Sequence, residues 1–273
     1  MNWRPIARHD ARDGIGSTVF WLLLLGLTVI FLGLVGLVWN YGESDMEEFL
    51  ELALPVVELI VPLLAVVMGY RVVIGAVSSG TIGLLMSLPH RRLDLAIGSF
   101  VGRSVVLGVP LLVALVLAGL AGMVLLDGFD LIEYTGFVLL TLVLGISFLG
   151  IAIGLSMASD SSRRVTALAF GAYILLVIMW QAVASLVVVV VYRFNTEALM
   201  IRPEWGFLLE MLSPVVSFQI VLDSVISLEL STLADELGAP GFVTPSVAMV
   251  ILIGWIAVSL TLGYLRFART ELV

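Results

Sequence analysis

Apolar residues in this chain come in blocks rather than in alternation. Six blocks with almost no charge cover 18–39, 53–74, 104–126, 135–158, 165–191 and 246–266. A bilayer core about 30 Å thick is crossed by about 20 mostly apolar helical residues, so each block predicts one spanning helix. Strands of a lipid-facing barrel would alternate, whereas LLVALVLAGLAGMVLL at 111–126 is apolar on every side. The pattern predicts an all-α polytopic membrane protein forming a single transmembrane domain over 1–273. The first block is longer than the apolar part of a signal peptide and no small-residue cleavage site follows it before the acidic loop, so it is expected to stay as a span.

Between the blocks lie segments of mixed character. In 1–16, Trp3, Ile6 and Ala7 are interleaved with Arg4, Arg8, His9, Arg12 and Asp13. This reads as a short amphipathic helix on the inner membrane surface, with Trp at headgroup level and Arg heads in water; the alternative is a basic tail that only sets topology. The segment 75–103 contains SSGTIGLLMSLPHRR at 78–92. Ser78 or Ser79 can cap a helix, Ile82, Leu85 and Met86 then share one face, and Pro89 ends it. One or two turns are too short to hold in water alone. The apolar face must therefore rest on the protein's own inner ends or in a partner's groove. Arg91, Arg92 and Asp94 mark re-entry at the headgroups, and Gly98 and Gly102, four apart, allow close helix approach. The loop at 159–164 is too short for a domain. The segment 193–245 is long and includes LLEMLSPVVSFQIVLDSVISL at 208–228. With Glu210, Asp223 and Glu229 inside it, this is expected to be one or two helices lying at the outer surface, broken near Pro214.

Charge fixes the orientation. All 13 basic residues are Arg, and basic residues near span ends are retained on the cytoplasmic side. With the N-terminus inside, Arg4, Arg8, Arg12, Arg71, Arg91, Arg92, Arg103, Arg163, Arg164, Arg266 and Arg269 fall on the inner side, and only Arg193 and Arg202 on the outer. Both termini are thus expected in the cytoplasm and the chain in the cell membrane. The outer segments are acidic, from Glu43, Asp45, Glu47, Glu48 and Glu51 to Asp127, Asp130 and Glu133. A net charge of −8 concentrated there repels nucleic acid. The absence of Lys beside an acidic exterior fits either a salt-rich habitat or a genome that favours Arg codons. No Cys is present, which excludes disulfides and thiolate metal sites. The composition, 61% hydrophobic with a mean hydropathy of +1.17, agrees with lipid as the main solvent.

Catalytic patterns are missing. Ser147, in GISFLG at 145–150, has no base within reach along the sequence, since His9 and His90 lie outside the spans and Lys is absent. Ser147 reads instead as a small residue at a helix contact with Gly150 and Gly154. There is no His-Glu-x-x-His pair, and a P-loop would need Lys. No cofactor is expected in this chain, and any ATP must be hydrolysed by another polypeptide. The scattered methionines, without a Met-x-x-Met pair, read as packing. Glu58, between Pro55 and Pro62, is the one ionisable residue well inside an apolar block, about 7 Å past its outer edge. It is expected to reach the outer headgroups or a water-filled vestibule, or to touch cargo.

These features converge on a membrane subunit driven from outside. Gly80-Thr81, Leu84-Leu85, Ser87-Leu88-Pro89-His90-Arg91 and Gly98 stand in the order of the loop between spans two and three of the permeases of type-2 ATP-binding-cassette exporters, which the chain resembles. That loop's usual Glu and Lys fall at Ala76 and Ser99. Leu212-Ser213-Pro214 with Ser217-Phe218 resembles the family's outer motif. Leu262-Gly263-Tyr264 with Phe267 and Arg269 resembles the end of its copper-associated branch, linked to nitrous oxide reductase maturation. The resemblance implies that Ser79, Gly80, Thr81, Ile82, Leu84, Leu85, Met86, Leu88, Pro89 and Arg91 belong to a coupling helix docked on a cytoplasmic ATPase, which carries ATP and Mg. It makes the N-terminal segment, with Trp3, Arg4, Ile6, Arg8 and Arg12, an interface helix. It also implies a second permease copy, identical or paralogous, a pathway between the copies lined by spans two and five, and outer helices near 206–230 capping the exit. The rival readings are an ATP-independent secondary transporter and a membrane anchor subunit of another complex.

Overall fold

A computed structural model of the chain describes residues 3–70, 72, 92–159, 161–194, 203–226, 233–235 and 239–269. The elements are α1 (Trp3–Ile15), α2 (Thr18–Tyr41), α3 (Met46–Gly69), α4 (Arg92–Leu125), α5 (Leu131–Met157), α6 (Ser162–Val191), α7 (Glu204–Met211), α8 (Pro214–Asp223) and α9 (Pro245–Arg269), with a 3-10 turn at Leu233–Asp235. Six of them, α2 to α6 and α9, are long and apolar enough to cross a bilayer. The all-α reading and its six spans hold.

The helix ends outrun the apolar blocks, for identifiable reasons. Asp45 caps α3 by accepting from the Glu47 N–H, and Glu47 and Glu48 occupy the first turn, where carboxylates oppose the positive end of the helix dipole. The helix therefore begins at Met46, seven residues before the hydropathy edge. Asp130 caps α5 through the N–H groups of Ile132 and Glu133, and Ser17 caps α2 through that of Phe20. At Arg92 to Leu125, α4 has 34 residues and is about 51 Å long, well beyond a 30 Å hydrocarbon core. Its excess lies at the N-terminal end, in what hydropathy marks as loop. The loops before α3 and after α4 are tied by backbone bonds, Asp127 N–H to Ser44 C=O (2.7 Å) and Met46 N–H to Asp127 C=O (3.0 Å).

Packing radiates from α5, the most enclosed span, which contacts α3, α4, α8 and α9. Gly154 of α5 meets Gly263 and the Ser259 backbone of α9, with no room for a Cβ on either glycine. Lipid offers no hydrophobic driving force between helices, so close backbone approach of this kind is what holds spans together. Ser147, fully buried, shares its hydroxyl between the carbonyls of Val143 (2.8 Å) and Leu252 (3.0 Å), the latter on α9. Its expected role as a small contact residue beside Gly150 and Gly154 is the one it has.

The outer segment differs from expectation. A break does occur at Leu212–Ser213, next to Pro214, and the arms α7 and α8 meet at a bend of 98°. Of the two arms, α7 keeps an exposed side with Glu204, Trp205 and Leu208, whereas α8 does not lie on the surface. Every residue from Ser213 to Leu222 except Gln219 is buried, and α8 packs on α5 and α9. The physical reason is the length of PVVSFQIVL, an apolar stretch that finds its cover between spans rather than at a wet surface.

Gly154→Leu should therefore fail to pack, lowering the melting temperature in detergent by the equivalent of about 3 kcal/mol or more. Gly26→Leu, where an added Cβ meets nothing within 4 Å, should leave it unchanged. A thermal melt of the two variants beside the parent checks the contrast.

Candidate functional site

The segment expected to couple to an ATPase, Ser79 to Arg91, lies outside the described residues, as does the side chain of Arg92. The structure does describe what adjoins it, the inner end of α4 and the helix clamped there. Along α1, Ile6 and the Trp3 carbonyl face Gly98, Asp10 and the Ala7 carbonyl face Gly102, and Gly14 faces Val106. Both helices advance together through these contacts, so α1 climbs alongside α4. The amphipathic pattern predicted a helix here, and its apolar side is the one turned to α4. The two glycines of α4 form a groove that takes it.

Arg4, Arg8 and Arg12 remain exposed along the opposite side of α1, and the Arg4 guanidinium sits 5.9 Å from the Trp3 ring centre. Inside the joint, Asp10 Oδ2 lies 3.2 Å from Arg103 Nε. Burial pushes the Asp10 carboxyl above its ordinary value, against the opposing pull of Arg103. The proton-bound form is thus favoured by docking: the stabilisation is full below the ordinary Asp value of 3.8 and is lost as pH rises through the raised one.

A second assembly of polar groups lies far from this joint. Glu58 is the thirteenth of the 24 residues of α3, about 18 Å along the helix from Met46. It is therefore at mid-helix, deeper than the hydropathy edge suggested. Its Oε1 accepts from Gln219 Nε2 of α8 at 2.7 Å. One residue on, the Leu59 carbonyl accepts from the Tyr173 hydroxyl of α6 at 3.1 Å. Immediately after Tyr173, α6 loosens into a π-helical turn, Ile174–Met179. Inside that turn the Leu176 carbonyl accepts from Ser213 Oγ (2.9 Å), and just beyond it Trp180 Nε1 donates to the Leu209 carbonyl (2.9 Å). From α9, Trp255 Nε1 donates to the Leu212 carbonyl (2.8 Å), and Ser217 Oγ closes on the Met211 carbonyl (2.6 Å).

These bonds have one origin. The last carbonyls of a helix have no partner within it, and in hydrocarbon no water can replace one. Ending α7 here leaves Met211 and Leu212 short of helical donors, which Ser217 and Trp255 supply, while Trp180 adds a second donor to the Leu209 carbonyl beside the long Leu212 N–H contact (3.3 Å). The outcome is a polar belt joining α3, α6, α9 and the α7–α8 hairpin. From the sequence alone Glu58 stood out, and Ser213 and Ser217 as part of a motif; Tyr173, Trp180, Gln219 and Trp255 were missed. The available signal was a set of donors within otherwise apolar runs, close to Pro214 or one helical face apart.

The comparisons agree with this architecture. The family described as "ABC-2 family transporter protein" matches residues 4–272. The chain is similar to a probable ABC transporter permease protein NosY of Stutzerimonas stutzeri, 28% identical over 277 residues that cover 97% of each chain. It is also similar to a protein of the same description from Pseudomonas aeruginosa, 26% identical over 187 residues, 64% of this chain and 67% of the relative. With six helices fit to cross a bilayer and a family match over nearly its whole length, the chain belongs to the ABC-2 transporter family as a multi-pass, membrane-spanning permease.

Proposed function

We propose that this permease moves a substrate across the cell membrane, outward, using ATP hydrolysed by a separate cytoplasmic subunit that carries the nucleotide and Mg. The observation that carries the reading is the family match over residues 4–272, joined to a sequence that contains no Lys for a P-loop of its own. Residues 79–91 are the proposed docking helix. Closure of the ATPase pair pulls on that helix, and through it on the inner end of α4. With α1 seated on Gly98 and Gly102, the two helices receive the pull as one body.

A second permease copy completes the path. The unpaired lipid-level surfaces that would meet it are those of α3 and α6, where Leu52, Leu59, Ile174, Leu175, Ile178 and Met179 are exposed. Glu58 lies at the edge of that surface. The copies rock between inward- and outward-open states while the α7–α8 hairpin closes the outer end. Both termini and the loop at 159–164 face the cytoplasm in this arrangement, as the Arg asymmetry requires. Similarity to the NosY permeases supports the branch suggested by the C-terminal Leu262-Gly263-Tyr264.

Three measurements test the proposal. Leu85→Asp places a charge on the apolar face of the docking helix, and should abolish co-purification with the ATPase while the permease still inserts; undiminished recovery of the partner would refute docking there. Gly102→Leu should displace α1 and reduce ATP turnover by the complex at least fivefold, whereas Asp10→Asn, which keeps the shape and suits the protonation that burial favours, should change it less than twofold. Single cysteines, Ser44→Cys and Ser161→Cys, should label from opposite sides in this thiol-free chain, the first from outside. Labelling of both from one side would overturn the topology.

A further inference from the structure

Glu58 is a carboxylate at mid-helix that no basic side chain pairs with among the described residues. Within a span, such a group is costly against lipid and is kept only where it faces protein, water or a ligand. Its surroundings are specific. On α3, Leu52, Pro55 and Leu59 are exposed, while Val57, Val61 and Pro62 are buried. Glu58 is half-buried between these two sides. Gln219 is the single residue from Ser213 to Leu222 that is not fully buried, and it emerges at the same border to donate to Glu58.

The chemistry left over is mainly accepting, with the second Gln219 N–H as the one side-chain donor of the pair. Gln219 spends an N–H on Glu58 Oε1, which leaves Glu58 Oε2 and the Gln219 carbonyl oxygen able to accept. Pro62 has no N–H to offer the main-chain carbonyl of Glu58, four residues before it. The pair thus presents acceptors and an ionisable acid, on the exposed side of a span, with no basic side chain paired to it among the described residues. The described basic residue that follows α6, Arg193, comes fourteen residues after the π-helical turn, beyond the helix end at Val191.

We propose that Glu58 and Gln219 form a cation-accepting subsite in the permeation path, which receives cargo through a positively charged group. The inference rests on the reading of the chain as a permease with a path along α3 and α6, and deepens it by naming the charge of the cargo group. Occupation of the subsite replaces the Gln219 N–H at Glu58 with the cargo's own donors. That loosens the one side-chain bond between α3 and the α7–α8 hairpin that involves no backbone group among the described residues. Cargo arrival and release of the outer hairpin are linked in this way.

The test uses the full complex with its ATPase in lipid nanodiscs, carrying Leu59→Cys as the sole thiol. Leu59 is 46% exposed beside Glu58, so its replacement reports the local field. A permanently cationic trimethylammonium methanethiosulfonate and its anionic sulfonate analogue are compared, each rate normalised to that with a free thiol in solution. The cationic reagent should react about tenfold faster or more, the ratio set by one unscreened negative charge at close range. Adding Glu58→Gln, which keeps the bond to Gln219, should bring the two rates within about twofold. Equal rates with Glu58 in place overturn the subsite, and this reading does not depend on how well the double variant folds. Reaction with a lipid-soluble maleimide but with neither charged reagent also overturns it, by placing Leu59 against lipid. ATPase recovered with the permease in the same preparation separates the two ideas: equal rates with the ATPase bound refute the subsite alone, and absence of the ATPase refutes the permease reading beneath it.

Discussion

A backbone carbonyl inside hydrocarbon must find a donor within the protein, and the part of this molecule around the α7–α8 hairpin is organised by that requirement. The α7–α8 hairpin turns between spans, where its broken backbone would be intolerable without partners. Two indoles and one hydroxyl, from α6, α9 and α8, answer it, each directed at a specific carbonyl. The bonds are modest one by one, of order 1 kcal/mol net, but leaving any of these groups unpaired costs more than the bond contributes. The hairpin is consequently held in one position by satisfaction of polar groups, in a region where apolar contacts discriminate poorly between one helix and the next.

The same requirement explains the π-helical turn in α6. A wider turn offsets the helical hydrogen bonds and presents carbonyls sideways, as Leu176 does to Ser213. Tyr173 before the turn and Trp180 after it reach in opposite directions, to α3 and to α7. An α-helix of regular pitch through these six residues would rotate one of the two rings away from its acceptor. The local irregularity and the long-range contacts are therefore one feature. It sits in the span that buries least of itself within the chain, together with α9, which is where a moving part or a second copy has room.

What could be read from the amino acids follows from the kind of signal each feature leaves. Six spans, their order and their type were legible because apolar blocks reflect transfer to lipid, a property of composition over 20 residues. The helix ends were not, since Asp45, Glu47 and Glu48 are good helix-starting residues that hydropathy counts as loop. Gly98 and Gly102 announced a close contact but not its partner, which proved to be the preceding amphipathic helix. Gln219 and Trp255 gave no sign at all: a single polar atom in an apolar run has meaning only once the acceptor across the fold is known. Pro214 marked the break correctly, because proline acts locally, while the depth of the hairpin depends on contacts more than 30 residues away in sequence.

Finally, Pro110 has no N–H for the carbonyl of Val106, and Val106 is where Gly14 completes the contact of α1 with α4. The splint provided by α1 thus stops at the turn where the longest helix loses an internal bond. Under the proposed coupling, load applied near Arg92 would pass along the foot braced by α1 and meet its first compliant joint at 106–110, within the apolar block of the helix rather than before it.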